Sequence, residues 1–408
     1  MDTVAKPYRL PIAILVAGIF SVLIGMGLRA SMGLFLKPMS LDLGWGREVF
    51  AFAIALQNLI WGILQPFAAA IADKHGTGRV VAAGGVLYVT GLYTMAEVAD
   101  PLYFQLSAGL LLGMAQSGCA LAVVLGAVGR ALPENQRVFG LGLVTACGAA
   151  GQFTVVPIGQ IFLNQYGWSS TFVILAMAAT TIIGCAYFLR GNPNDTDLSG
   201  RTGEFTRDGL SNTIRLATSD RSYWLLAAGF FVCGFHVAFI GVHMPAFLSD
   251  AGLPPESGAW SLALIGIFNV VGAFTAGILG NRFPKKYLLG ILYLLRALTI
   301  FIFVSLPITI ETVAIFSIAM GLLWLSTIPL TSALVAVMFG PRYMGTLFSI
   351  VFFSHQVGSF LGVWLGGYIY DSTGSYMPIW WAGIIIGLLS AILHLPIKEQ
   401  AVQQPIKA

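Results

Sequence analysis

The sequence predicts an all-α integral membrane protein in which twelve spanning helices form two pseudo-symmetric six-helix bundles, and three observations carry that prediction. Of 408 residues, 57% are hydrophobic and only 9% charged, where a soluble domain has about 25% charged. Apolar runs of about 17–25 residues, enough to cross a bilayer, occur twelve times. Landmarks of the first half recur in the second at a nearly constant spacing, the mark of an internal repeat.

Taken in order, the runs are 10–36, 48–72, 79–98, 102–129, 138–163 and 170–190, then 222–248, 258–280, 287–306, 311–338, 345–369 and 377–396. Lys6 and Arg9 precede the first run in the manner of a signal peptide. The run is too long for one and has no small-residue cleavage site, so it reads as a retained span. Between Arg190 and Arg221 the hydrophobicity lapses into Gly191-Asn192-Pro193-Asn194-Asp195 and further arginines. The expected organisation is therefore residues 1–190 as one bundle, 191–221 as a cytoplasmic linker and 222–408 as the second bundle.

Orientation follows from basic residues, which cytoplasmic loops carry in excess. Lys74, Arg79, Arg130, Arg137, Arg190, Arg282, Lys285, Lys286, Arg342 and Lys398 fall on one side with the linker arginines and the basic residues of both tails. Only Lys37 and Arg47 fall in loops on the other. Both termini are expected in the cytoplasm, and the location is the cell membrane, the inner membrane of a bacterium. The net charge of +4 is mostly this topology signal and gives no reason to expect nucleic acid. Cys119, Cys147, Cys185 and Cys233 lie in spans without metal-type spacing and read as packing residues.

The repeat pairs Pro38 with Pro245, Gly151 with Gly358 and Gly167 with Gly374, each 207 apart, and Asp73 with Asn281 and Pro133 with Pro341, each 208 apart. Two parallel halves related by an axis along the membrane normal are the arrangement of one large transporter class. The loop Asp73-Lys74-His75-Gly76-Thr77-Gly78-Arg79 follows span 2, and an echo, Asn281-Arg282-Phe283-Pro284-Lys285-Lys286, follows span 8. With this Asp-Arg/Lys-x-Gly-x-x-Arg pattern the chain resembles the major facilitator superfamily over essentially its whole length. Gln65-Pro66 ahead of Asp73, Arg130-Ala131-Leu132-Pro133-Glu134 ahead of a glycine-rich span 5, and His243-Met244-Pro245 closing span 7 are most like its monocarboxylate-transporter and oxalate/formate-exchanger group. Span 1 lacks the acidic-Gly-aromatic signature of the animal carriers, and span 8 has Asn269 where that group often carries a cation.

The chemistry centres on Arg29, a permanent cation inside span 1. An ionisable residue there is costly by at least about 2.5–3.5 kcal/mol and is a functional site by default. The alternative is that it snorkels to the outer interface, about six residues from the end of the run. Arg29 plus 207 is His236 in span 7. Equivalent inward positions of spans 1 and 7 would set the two side chains facing across a central cavity. His355 and Gln356 of span 11 are further candidates, as are Asn58, Gln116, Asn269 and Trp324. Gln116 and Trp324 are themselves 208 apart. His236 and His355 are the candidate proton carriers, since histidine titrates near physiological pH. Arg296, in span 9, reads as a structural hydrogen bonder.

All seventeen Asp and Glu lie in loops, tails or span ends. A cationic interior without a carboxylate fits an anion from outside, and the Arg fork suits a carboxylate. By resemblance, Asp73 is expected to pair with Arg130 and meet the start of span 11, with Arg79 completing the loop, as a latch on the cytoplasmic face. The expected function is an alternating-access secondary transporter of a small organic anion, monocarboxylate-like, by proton symport or exchange for a counter-anion. The rival is a proton-driven exporter of amphipathic drugs or a carrier of a larger aromatic metabolite. No nucleotide loop, cofactor motif or catalytic constellation occurs, so the chain is not expected to be an enzyme, and a monomer in the lipid bilayer is the expected state.

Overall fold

The computed structural model describes residues 9–190, 207–340 and 344–402, so residues 191–206 of the expected linker, and Arg342, lie outside it. The described residues are helical, with no strand. Span 1 is α1 (Arg9–Ser31), a 3₁₀ turn (Met32–Phe35) and α2 (Leu36–Asp42). Spans 2 and 3 are α3 (Arg47–His75) and α4 (Thr77–Ala96), and span 4 comprises α5 (Pro101–Phe104), a π-helical stretch (Gln105–Leu111), α6 (Leu112–Gly118) and α7 (Leu121–Ala131). Spans 5 and 6 lie in α8 (Glu134–Phe188). After α9 (Arg207–Ser219), span 7 is α10 (Arg221–Asp250), span 8 α11 (Glu256–Gly280) and span 9 α12 (Lys285–Ser305). Span 10 is α13 (Ile310–Leu323) with α14 (Thr327–Phe339), span 11 is α15 (Met344–Thr373) and span 12 is α16 (Met377–His394).

Eleven helical segments are long and apolar enough to cross a membrane. The sequence predicts twelve because spans 5 and 6 follow one another through Gly167, whose φ of 74° reverses the chain where a side chain would be strained. Local chemistry sets the other boundaries. Asp100 accepts from the Leu102 N–H at 2.8 Å ahead of Pro101, and Asp220 accepts from Tyr223 N–H at 3.0 Å to start α10. Thr309 and Thr312 form a reciprocal capping box at α13. The linker contributes the helix α9, which the apolar-run reading did not anticipate.

Two differences from expectation position the site. Span 1 does not end near residue 36 but continues to Asp42, thirteen residues past Arg29, or about 20 Å. Arg29 is therefore mid-span, too deep to snorkel to that end. Span 10 is broken between Leu323 and Thr327. Loops such as α3–α4 share the end of the bundle where α1 begins and α16 finishes, the terminal end; the α2–α3 and α10–α11 loops form the far end.

Candidate functional site

A small cavity lies between the two sets of six spans. The first six spans contribute Arg29, Ile54, Gln57, Asn58 and Gln152; the last six contribute Val237, Ala238, Gly241, Val242, Leu262 and Trp324. One wall is thus polar and cationic and the other nearly apolar. Arg29 also borders a second chamber within the first six spans, beside Trp61, Tyr88, Gln116 and Cys119.

Arg29 Nη2 donates to Asn58 Oδ1 at 3.3 Å, and its guanidinium lies 5.0 Å from the Trp61 ring centroid, a cation–π arrangement. Asn58 is fixed in turn, its Nδ2 donating to the Ile54 carbonyl at 2.8 Å. Arg29 makes no ion pair among the described residues. Around it, Gln57 Nε2, Trp61 Nε1 and both polar atoms of Gln116 are buried without a hydrogen-bond partner. Orphaned buried polar groups cost about 1–3 kcal/mol each and call for an explanation. Ile54, Gln57, Asn58 and Trp61 are spaced i, i+3, i+4 and i+7 along one face of α3. That spacing was available in the sequence, although Trp61 and Tyr88 were not singled out.

The facing pair of Arg29 and His236 is not formed. His236 Nε2 sits 2.8 Å from the Gly383 carbonyl, with the ring buried among α10, α12 and α16. The error is one residue of register. At this level the repeat is 208, which makes Val237 the counterpart of Arg29, and both line the cavity. Gly33 and Gly241, also 208 apart, meet so closely that a Cβ on Gly33 would strike the Gly241 carbonyl. One helical residue is a rotation of about 100°, enough to turn a cavity position into a core position.

His355 also falls outside the cavity lining, stacked on Phe352 with ring centroids 5.5 Å apart. Its Nδ1 is 3.1 Å from Gln356 Oε1, while Gln356 Nε2 donates to the Asn58 carbonyl at 3.0 Å. Gln356 is thus a neighbour of the site that steadies Asn58 from across the seam. Asn269 and Trp324 are joined through the break in span 10. Asn269 Oδ1 accepts from Leu325 N–H at 3.0 Å, and Arg296 donates from Nε to the Leu323 carbonyl at 3.0 Å and from Nη2 to the Leu323 and Trp324 carbonyls. These bonds satisfy backbone groups that a broken helix leaves open in lipid and set Trp324 into the cavity wall. Asn269 itself does not line the cavity.

At the terminal end Arg130 Nη1 pairs with Asp73 Oδ1 at 3.1 Å and Nη2 donates to Thr77 Oγ1 at 2.6 Å. The Asp73 side chain is 72% exposed, and Arg79 is exposed. The far end carries a cluster the sequence reading missed. Arg47, read as a loop residue, is buried and donates from both Nη atoms to Asp250 at 2.6 and 3.0 Å and from Nη1 to the Tyr376 hydroxyl at 3.0 Å. Its guanidinium stacks 3.6 Å from the Tyr370 ring centroid. Lys37 adds an ion pair to Asp250 at 2.8 Å. Burial pushes the Tyr376 phenol above its ordinary pKa, so it stays protonated and can donate to His243 Nδ1, 3.1 Å away. A signal existed: Asp42 and Asp250, like Trp168 and Tyr376, are 208 apart.

The sequence profile of the Major Facilitator Superfamily matches residues 15–309 and 229–407. The chain is 26% identical over 383 residues to an uncharacterized MFS-type transporter, YcxA, of Bacillus subtilis (strain 168), covering 92% of each chain. It is 26% identical over 323 residues to monocarboxylate transporter 13 of Rattus norvegicus, covering 76% of this chain and 71% of that one. Among solved structures it superposes on a D-xylose-proton symporter with a TM-score of 0.71 at 14% identity, over 97% of this chain and 100% of that one. It also superposes on a bacterial homolog of the human lysosomal transporter Spinster, in an inward-facing and occupied conformation, with a TM-score of 0.71 at 14% identity, over 96% and 97%. With the profile covering both sets of spans, the chain belongs to the Major Facilitator Superfamily and is a membrane transporter.

Proposed function

We propose that the protein carries a small organic anion with a carboxylate group by alternating access, residues 1–190 and 222–408 rocking about the cavity with both termini in the cytoplasm. The observation that carries this reading is an intramembrane arginine with unspent donors and no acidic partner among the described residues, bordered by orphaned N–H groups. The carboxylate sits against Arg29, with Gln57 or Trp61 within reach of its second oxygen. The apolar wall of Val237, Val242 and Leu262 receives the body of the substrate. The similarity to proteins named monocarboxylate transporters supports the same class.

Coupling is by a proton or by exchange. His355, with an unpartnered Nε2, is the histidine nearer the seam, and a proton also travels on the acid itself. Aromatic walls from Trp61, Tyr88 and Trp324 favour, as a second reading, a carrier of a larger aromatic metabolite. A thermal-shift screen of the purified protein against mono- and dicarboxylates, neutral aromatic metabolites and cationic drugs separates the two. Stabilisation by carboxylates that disappears in Arg29→Ala supports the anion site. Stabilisation only by neutral or cationic compounds, retained in Arg29→Ala, rejects it.

A further inference from the structure

Helices α3 and α15 run antiparallel along the seam. Arg47 meets Asp371, Phe52 meets Phe360, Asn58 meets Gln356 and Trp61 meets Phe352. At the far end, Asp371 accepts from the backbone N–H of Arg47 at 2.9 Å and of Glu48 at 2.8 Å. These are the first two residues of α3, whose N–H groups have no partner within the helix. A carboxylate there also meets the positive end of the helix dipole. Gly46 lets it approach, since a Cβ at that position would run into the Asp371 carboxylate.

The opposite end of the pair has the same parts in reverse. Asp371 lies two residues before the end of α15 at Thr373, and Asp73 lies two residues before the end of α3 at His75. Carrying the antiparallel register on past Trp61 and Phe352 brings Asp73 level with residue 340, just ahead of α15, which begins at Met344. Asp371 is engaged on α3 while Asp73 is exposed and bound to Arg130 within its own half. The other seam has a thinner contact at the far end: Asn164 Nδ2 donates to Glu256 Oε1 at 2.6 Å.

We propose that Asp371 is a conformational latch that holds the far end closed by capping α3 from the other half, and that its release is a step in opening the far end. The proposal rests on the alternating-access reading. Opening the far end breaks both bonds of the Asp371 carboxylate together with the Arg47–Asp250 pair, whereas the Asp73–Arg130 pair lies within one half and survives. Asp371 and Asp73 are then reciprocal caps on one pair of helices, each satisfied in a different state.

Hydrogen–deuterium exchange of the full chain in lipid nanodiscs, without substrate, tests this. Asp371→Asn is expected to raise exchange at residues 46–52 and 364–376 and to lower it at residues 73–79 and 344–350, a roughly tenfold shift of the balance for a lost charge-assisted cap. Gly46→Ala, which leaves the aspartate in place and crowds its approach, moves exchange in the same direction and serves if Asp371→Asn does not fold. Asp73→Asn is the control for the rocking reading itself. If Asp73→Asn moves the two ends in opposite senses but neither Asp371→Asn nor Gly46→Ala does, the latch is wrong and alternating access stands. A rise confined to residues 46–52, with no fall at the terminal end, makes Asp371 a static cap and overturns the proposal. If no variant produces opposed changes, the rocking reading fails and the latch with it.

Discussion

Arg29 and Arg296 are both arginines inside membrane spans, yet one borders open space and the other is buried against backbone carbonyls, with its Nη1 left without a partner. Arg29 gives one hydrogen bond to a side chain, rests on an indole and borders two cavities. Arg296 is fully buried and gives three hydrogen bonds to two backbone carbonyls at the break of span 10. The same guanidinium borders a cavity in the first case and in the second replaces hydrogen bonds that a broken helix forfeits. What separates the two is therefore the space beside the guanidinium, a cavity at Arg29 and backbone carbonyls at Arg296.

The contrast breaks most visibly at Arg29. Arg29→Ala is expected to lower uptake of the carboxylate substrate into proteoliposomes by roughly 100-fold or more, the loss of a bidentate charge-assisted contact, while leaving the melting temperature of the unliganded protein nearly unchanged. Arg29→Lys retains charge without the fork and should recover only part of the rate. Normal uptake and affinity in both variants would return Arg29 to a structural role.

Arg296 should show the opposite signature. Arg296→Met fills similar space but abandons the Leu323 and Trp324 carbonyls in an apolar interior, a loss of about 3 kcal/mol. The expected result is a lowered thermal transition in detergent. Because Trp324 lines the cavity, the substrate KM should also rise several-fold as that wall loosens. An undiminished transition temperature would mean that the break is held by Asn269 alone, and Arg296 would need another explanation.

How much of this the sequence could reveal depended on the physics of each feature. Spans are legible because lipid demands long apolar runs with internally satisfied backbones, and the repeat was legible in loop prolines and glycines. Depth and direction were not. The apolar run placed Arg29 near an end because it could not reveal that the helix continues through a 3₁₀ turn into α2. A repeat whose landmarks alternate between 207 and 208 cannot choose a helix face, and that single residue decided His236. The Arg47 cluster was missed for a different reason: hydropathy reads a charge at a span end as topology, while its partner Asp250 lies 203 residues away.

His236 provides the smallest and sharpest effect. Its ring is enclosed by α10, α12 and α16, with Gly383 and Gly387 leaving room for it, and its one hydrogen bond among the described residues goes to a backbone carbonyl. His236→Leu removes that bond and keeps much of the volume, so a stability loss of about 1 kcal/mol is expected. Uptake should stay within about twofold of the parent, since the cavity is lined by Val237 and Ala238 from the opposite face of the same helix. The decisive reading is the pH profile of uptake between about pH 5 and 8, where an unperturbed histidine changes charge. An unchanged profile leaves His236 as a packing residue of the second bundle. A profile flattened in His236→Leu but retained in His355→Gln would make His236 the proton carrier, and would require that α10 turn its buried face to the cavity in another state of the cycle.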